Sequence, residues 1–256
     1  VRSQGDGPIF ENNTTWTNES GSWTRPANDT ITKLIISEGI EEIGANAFAQ
    51  CLSITGDLII PNSVVTIREL AFAYCSSLNG TLTLGNQLET IGRQSFQGVN
   101  VTGDLIIPDS VVTIFDHAFY DCKSLDGRLI IGNRVETIEG YAFSNCVKLH
   151  GNIEIPESVT NIESNAFLGC SALTNIDIPE NVTEIKSDTF SECKNLRSIE
   201  LSKNVKSVSS YAFDGCSNLE KIEVNENNEN YIDENGILFN KQKTQIIKYP
   251  AKKSEV

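Results

Sequence analysis

Seven cysteines and two histidines are the residues of this 256-residue chain best suited to nucleophilic or metal chemistry. A thiolate beside an imidazole would make a nucleophile and its base, and Cys and His at short spacing would hold zinc. The spacing offers neither. Cys51, Cys75, Cys122, Cys146, Cys170, Cys193 and Cys216 are separated by at least 23 residues, far beyond a zinc pair. His117 and His150 stand in different segments, with no neighbouring Ser or Cys placed to form a triad. No phosphate loop or dinucleotide fingerprint occurs. Thirty-four carboxylates could in principle pair for glycoside hydrolysis, which requires a deep pocket that shifts one pKa.

What organises these residues is a period. Phe48, Phe72, Phe96, Phe119, Phe143, Phe167, Phe190 and Phe213 recur at intervals of 24, 24, 23, 24, 24, 23 and 23 residues. Every cysteine lies three residues after such a phenylalanine, and Val99 fills the remaining slot. Repeats of this length are supersecondary units that bury their apolar side only against neighbours. The expected fold is therefore a right-handed α/β-type leucine-rich-repeat solenoid, with short strands forming a curved parallel sheet on the concave face and a mostly irregular convex coil. A solenoid offers no deep pocket, so the chain is expected not to be an enzyme and to need no cofactor or metal.

The plainest copy runs Leu173-x-x-Ile176-x-Ile178-Pro179-x-x-Val182-x-x-Ile185, then Phe190-x-x-Cys193. Ile-x-Ile has the period of a strand with one buried face, and Pro179 ends it because proline cannot donate to a ladder. Each repeat should supply one strand and a returning coil, nine rungs in all, spaced about 4.8 Å apart. The phenylalanines, preceded by Ala in six of eight copies, should stack internally. The cysteines read as small buried filler, since Val replaces one of them. Disulfides between rungs would need Cβ vectors less parallel than a ladder gives.

This pattern, Ala-Phe-x-x-Cys, Leu, Ile-x-Ile-Pro and Val-x-x-Ile, resembles the BspA-like leucine-rich-repeat proteins of bacterial and protozoan surfaces. The resemblance covers residues 31–224, and the segment 225–256 looks like that family's C-terminal unit. Its runs Ile237-Leu238-Phe239 and Ile246-Ile247-Lys248, separated by polar Asn240 to Gln245, predict a hairpin closing the last rung. The resemblance implies an extracellular or cell-surface location and adhesion to a host or neighbouring-cell protein. Residues 1–30 lack the repeat and are expected to cap the first rung; Trp16 and Trp23 there would seal its apolar end or, alternatively, stack on sugar.

Two finer patterns stand out. Residues 55–67 and 102–114 differ at one position and lie 47 residues apart, the mark of a duplicated two-rung unit. An extra glycine precedes the strand at Gly56, Gly80, Gly103, Gly127 and Gly151, read as a bulge or positive-φ turn rather than as ligand approach. The sequons at Asn12, Asn13, Asn18, Asn28, Asn100 and Asn181 matter only in a secreted eukaryotic chain. The chain begins at Val1 and contains no Met, so export is not legible from these residues.

A net charge of −14 repels nucleic-acid phosphate and anionic lipid, and no apolar run is long enough to insert into a membrane. Solenoids bind through the outward side chains of their strands. The middle residues of the Ile-x-Ile cores are Ile35, Ile59, Thr83, Ile106, Ile130, Glu154, Asp177, Glu200 and Glu223, a row that turns from apolar to acidic. Carboxylates about 4.8 Å apart repel by just under about 1 kcal/mol per pair even in bulk water, so stability does not favour them. One reading is a solvated face that keeps sheets from associating. The other, strengthened by exposed isoleucines, is a contact surface for a protein partner with a basic segment, engaged by a monomer. A carbohydrate-binding surface protein and a structural spacer within a larger cell-surface protein are the alternatives.

Overall fold

A computed structural model describes residues 31–253 and the backbone of Ile9–Phe10. The chain forms a parallel-strand solenoid of about eight turns. Two strands are made per turn, not the single one expected from the Ile-x-Ile core. The first row comprises Leu34–Ile35, Leu58–Ile59, Leu82–Thr83, Leu105–Ile106, Leu129–Ile130, Gly151–Glu154, Leu173–Asp177, Ser198–Leu201 and Lys221–Val224. The second row, eight strands from Glu42–Ile43 to Ser207–Val208, is built on the last residue of Val-x-x-Ile, replaced by Val208 in the final copy, and its predecessor. Six of these pair in unbroken register from Glu42–Ile43 to Asn161–Ile162, with Ile67 facing Ile91 and Ile91 facing Ile114.

No helix forms among the described residues, so the α/β element of the expectation reduces to β-strand and coil. The cause is local: two residues per turn of the coil take left-handed backbone, such as Asn46 and Gln50 (both φ 57°) or Tyr141 and Asn145 (57° and 61°). Left-handed residues spaced four apart interrupt any α-helical run. The coil is nonetheless regular. Phe48 N–H donates to Ala71 O (2.7 Å), Phe72 N–H to Ser95 O (2.8 Å) and Phe119 N–H to Ala142 O (2.8 Å), so each turn is hydrogen-bonded to the next along this side too. Backbone polar groups are thereby satisfied without secondary structure.

Inside the coil lies one continuous apolar core. A single turn contributes Leu58, Ile60, Val64, Ile67, Phe72, Cys75 and Leu78, all buried. The eight phenylalanine rings stack almost face to face, with centroids 5.2 to 6.0 Å apart and planes within 15° of parallel. All seven cysteines are buried and unbridged.

The first row is not uniform along its length. Leu58–Ile59 pairs with Leu82–Thr83, and Leu105–Ile106 with Leu129–Ile130, as separate two-stranded sheets, whereas the four strands from Gly151–Glu154 to Lys221–Val224 form one sheet. The pairs coincide with the duplicated unit. Within each pair, the second glycine packs on the backbone of the first: a Cβ on Gly80 would lie 2.5 Å from Gly56 C, and one on Gly127 2.4 Å from Gly103 C. Gly56, Gly103 and Gly151 take positive φ (85°, 81° and 91°), and the ladder slips between Gly151 and Asn152.

Both ends of the first row are covered. Leu34–Ile35 pairs antiparallel with Ile9–Phe10. At the other end, the runs Ile237–Asn240 and Ile246–Lys248 pair antiparallel, joined by a third strand, Tyr231–Glu234. Lysines of this unit bind the last turns: Lys252 to Glu220 (2.8 Å) and Lys248 to Asp214 (2.5 Å).

Candidate functional site

The first-row strands alternate inward and outward, so the apolar residues flanking each middle residue are buried, Leu84 and Val224 only partly, while the middle residue faces solvent. Ile59 and Ile106 are 58% and 54% exposed, Ile35 and Ile130 39% and 40%. Thr83, Glu154, Asp177, Glu200 and Glu223 are exposed in the same row. Register places Ile106 beside Ile130, and Glu154, Asp177, Glu200 and Glu223 consecutively side by side. The sequence row is therefore one physical row, and its change of character between Ile130 and Glu154 falls where separate strand pairs give way to the continuous sheet.

A depression of about 920 Å³ lies on this face across that change. Ile106 and Ile130 line its apolar part and Glu154 its acidic part; Asn86, Asp109, Asn133 and Glu157 stand along one flank, Arg128 and Asn152 along the other. Arg128 is the one cation in this lining, and its guanidinium is tied to Asp104 (3.3 Å). Of the four row carboxylates, Asp177 accepts from Asn152 Nδ2 (2.9 Å) and Glu223 pairs with Lys221 (2.7 Å). Glu154 and Glu200 have no ion-pair partner among the described residues. The acidic end thus presents uncompensated charge to solvent.

Arg128 and Asn152 were missed in the sequence because they lie two residues before the row, where Asp104, Arg128, Asn152 and Asn175 share no common type. Their signal was positional. Asp57 and Asp104 hold the next rung by accepting from Thr81 N–H (2.7 Å) and Arg128 N–H (2.8 Å), and those bonds keep both carboxyls below the usual carboxylate range.

The other candidate groups do not converge. His117 sits in the coil at left-handed φ (57°), stacked on Tyr141 (4.6 Å between centroids), with Nδ1 2.8 Å from Asp116 but outside hydrogen-bond geometry. His150 is exposed at a strand entry, its N–H on Gly127 O. The thiols face the core, where burial pushes Cys170 and Cys216 up to about 12 and raises Cys146 and Cys193 as well. A thiolate nucleophile is thus disfavoured at neutral pH. Among the described residues no cluster of three or more His, Cys, Asp or Glu could hold a metal ion. With no helix among the described residues, none is long and apolar enough to cross a membrane. Trp16, Trp23 and the sequons at Asn12, Asn13, Asn18 and Asn28 lie outside the described residues. The amides of Asn100 and Asn181 are used between rungs, donating to Ser76 O (2.6 Å) and Glu157 O (2.7 Å).

Comparison with solved structures returns the same coil. A leucine-rich-repeat protein of T. pallidum shares 24% identity over 73% of this chain and 78% of its own, with a TM-score of 0.50. The pneumococcal vaccine antigen PcpA shares 21% over 87% of this chain and 52% of its own, with a TM-score of 0.54; this chain spans about half of that antigen. At these identities the likeness concerns the fold. No curated protein sequence matches. The family model for the BspA type leucine-rich-repeat region, however, matches in six copies over residues 27–150 and 136–255, nearly the whole described chain, and the chain belongs to that family.

Proposed function

We propose that this chain is a non-catalytic, surface-displayed module that binds a protein partner, with a basic segment, through the first-row face. The observation that carries the reading is the exposed row running from Ile59, Ile106 and Ile130 to Glu154, Asp177, Glu200 and Glu223, with a depression at its change of character, over Ile106, Ile130 and Glu154. Exposed β-branched side chains supply surface to desolvate, and like carboxylates in register supply a field that attracts cations. Burial of the thiols in the core and the placement of His117 and His150 in different turns favour binding over catalysis. Membership of the BspA-type family and likeness in fold to a vaccine antigen favour display outside the cell, with adhesion as the role.

The test is a binding screen of the immobilised chain against purified extracellular-matrix and cell-surface proteins, repeated with two double variants. Asp177→Lys with Glu200→Lys is expected to slow association and flatten its salt dependence. Ile106→Ser with Ile130→Ser is expected to speed dissociation. A partner bound equally by both variants but lost on Asp116→Lys, in the coil, would move the site off this face.

A further inference from the structure

Resting on that reading, we infer that the occupant of the first-row face is an amphipathic α-helix of the partner, apolar over two turns and basic over the next ones. The face has no backbone hydrogen bonds to give. Ile107 N–H is spent on Ile130 O (2.8 Å) and Leu105 N–H on Arg128 O (2.8 Å), and Glu154, Asp177, Glu200 and Glu223 sit inside paired ladders. Its edges are closed too. Ile9–Phe10 occupies one, and Gly236 O with Asp233 Oδ1 takes the N–H groups of Ile222 and Val224 at the other. Adding a strand to the sheet is therefore unavailable to a partner.

An extended peptide laid across the rungs would press its own N–H and C=O groups onto Ile106 and Ile130 without satisfying them. A helix arrives with those groups already paired. Spacing agrees with this choice. Side chains on one helix face recur about every 5.4 Å, against a rung spacing of about 4.8 Å, so one side chain meets each rung over three or four rungs. On the same row an extended chain places a side chain only every 6.6 Å or so and falls out of step at once. Charge fixes the composition: the helix turn over Ile106 and Ile130 must be apolar, and the turns over Glu154, Asp177 and Glu200 must carry Lys or Arg.

The experiment uses the full chain and hydrocarbon-stapled helical peptides of about 16 residues, read by fluorescence anisotropy at about 0.15 M salt. The first peptide carries Leu on the inward face of its first two turns and Lys on that of the next two. A second has the same composition with Leu and Lys intermixed on that face, and a third, unstapled, keeps the block order but carries two central prolines. The block helix is expected to bind at least about tenfold more tightly than either comparator, a gap of about 1.4 kcal/mol. Asp177→Asn with Glu200→Gln, or Ile106→Ser with Ile130→Ser, should remove that advantage. Equal binding of the proline peptide would show an extended occupant, equal binding of the intermixed helix would show charge attraction alone, and no binding by the block helix would exclude it; each overturns the inference. A natural partner that loses affinity on first-row substitution while all three peptides fail would sink the helix and leave the binding face standing.

Discussion

The thiol of Cys146 donates to the backbone carbonyl of Phe119, 3.1 Å away in the preceding turn, and so joins the cysteine ladder to the phenylalanine stack. The same bond links Cys75 to Phe48, Cys122 to Phe96, Cys170 to Phe143, Cys193 to Phe167 and Cys216 to Phe190, at 3.0 to 3.3 Å. A buried thiol held as a donor is both shielded and poorly ionised. Native protein is therefore expected to react with few equivalents of a thiol reagent at pH 8, and unreduced, denatured protein with all seven. A shortfall of two or more thiols in the denatured sample would mean that bridges form between turns.

Phenylalanine truncation should depend on position in the stack. Phe119 lies between Phe96 and Phe143 and is fully buried, whereas Phe213 ends the stack at the C-terminal side, with Phe190 as its ring neighbour among the described residues. Phe119→Ala is expected to cost about 3 to 5 kcal/mol and Phe213→Ala distinctly less, because one ring neighbour rather than two is lost. Denaturant titration of both variants makes the comparison. Equal losses would mean that the ring stack is energetically uniform to its end.

The core and the exposed row could be read from residue order because each rests on a period of two inside a period of 23 or 24. The second strand row could not, since a two-residue pair such as Thr66–Ile67 leaves no alternation to detect. The left-handed ladder was hidden for another reason: Asn46, Leu70, Gln94, His117 and Tyr141 share a backbone conformation but no side-chain type. Stacking overrides the steric preference at each of these positions. At the site, the isoleucines and carboxylates were legible, whereas Arg128 and Asn152 joined them only through the geometry of neighbouring turns.

Acid should loosen the turns one carboxylate at a time. Hydrogen bonds from Lys186 and Asn161 hold the Glu163 carboxyl below its ordinary range, and the Arg68 guanidinium does so for Glu42. A depressed folded pKa contributes stability that is complete above the unfolded value, near 4, and is lost as pH falls through the folded value. Asp57 and Asp104 follow the same sign. Urea midpoints are therefore expected to be nearly constant from pH 7 to 5 and to drop below about pH 4. Glu163→Gln combined with Asp57→Asn and Asp104→Asn, which keep an acceptor oxygen, should flatten that drop. An acid limb as steep as wild type in the triple variant would assign it to other groups.

The duplicated unit makes the sharpest claim about single residues, because its glycines are required for two different reasons. Gly127 has ordinary φ but no room: its Cβ would stand 2.4 Å from Asp104 N and Gly103 C, both backbone atoms that move only if the turn moves. Gly103 has room, with only a Thr81 methyl 3.6 Å away, but its φ of 81° disfavours a side chain. Gly44 has neither constraint. Gly127→Ala is accordingly expected to destabilise by about 1 to 3 kcal/mol through overpacking. Gly103→Ala should cost about 1 to 2 kcal/mol through backbone strain alone. Gly44→Ala should be neutral or stabilising by up to about 1 kcal/mol, since it only restricts the unfolded chain. Equilibrium unfolding of the three variants ranks them. If Gly127→Ala is as stable as Gly44→Ala, the turns of the duplicated unit separate more readily than their close backbone contact implies, and the pairing of the first-row strands there is not what sets their spacing.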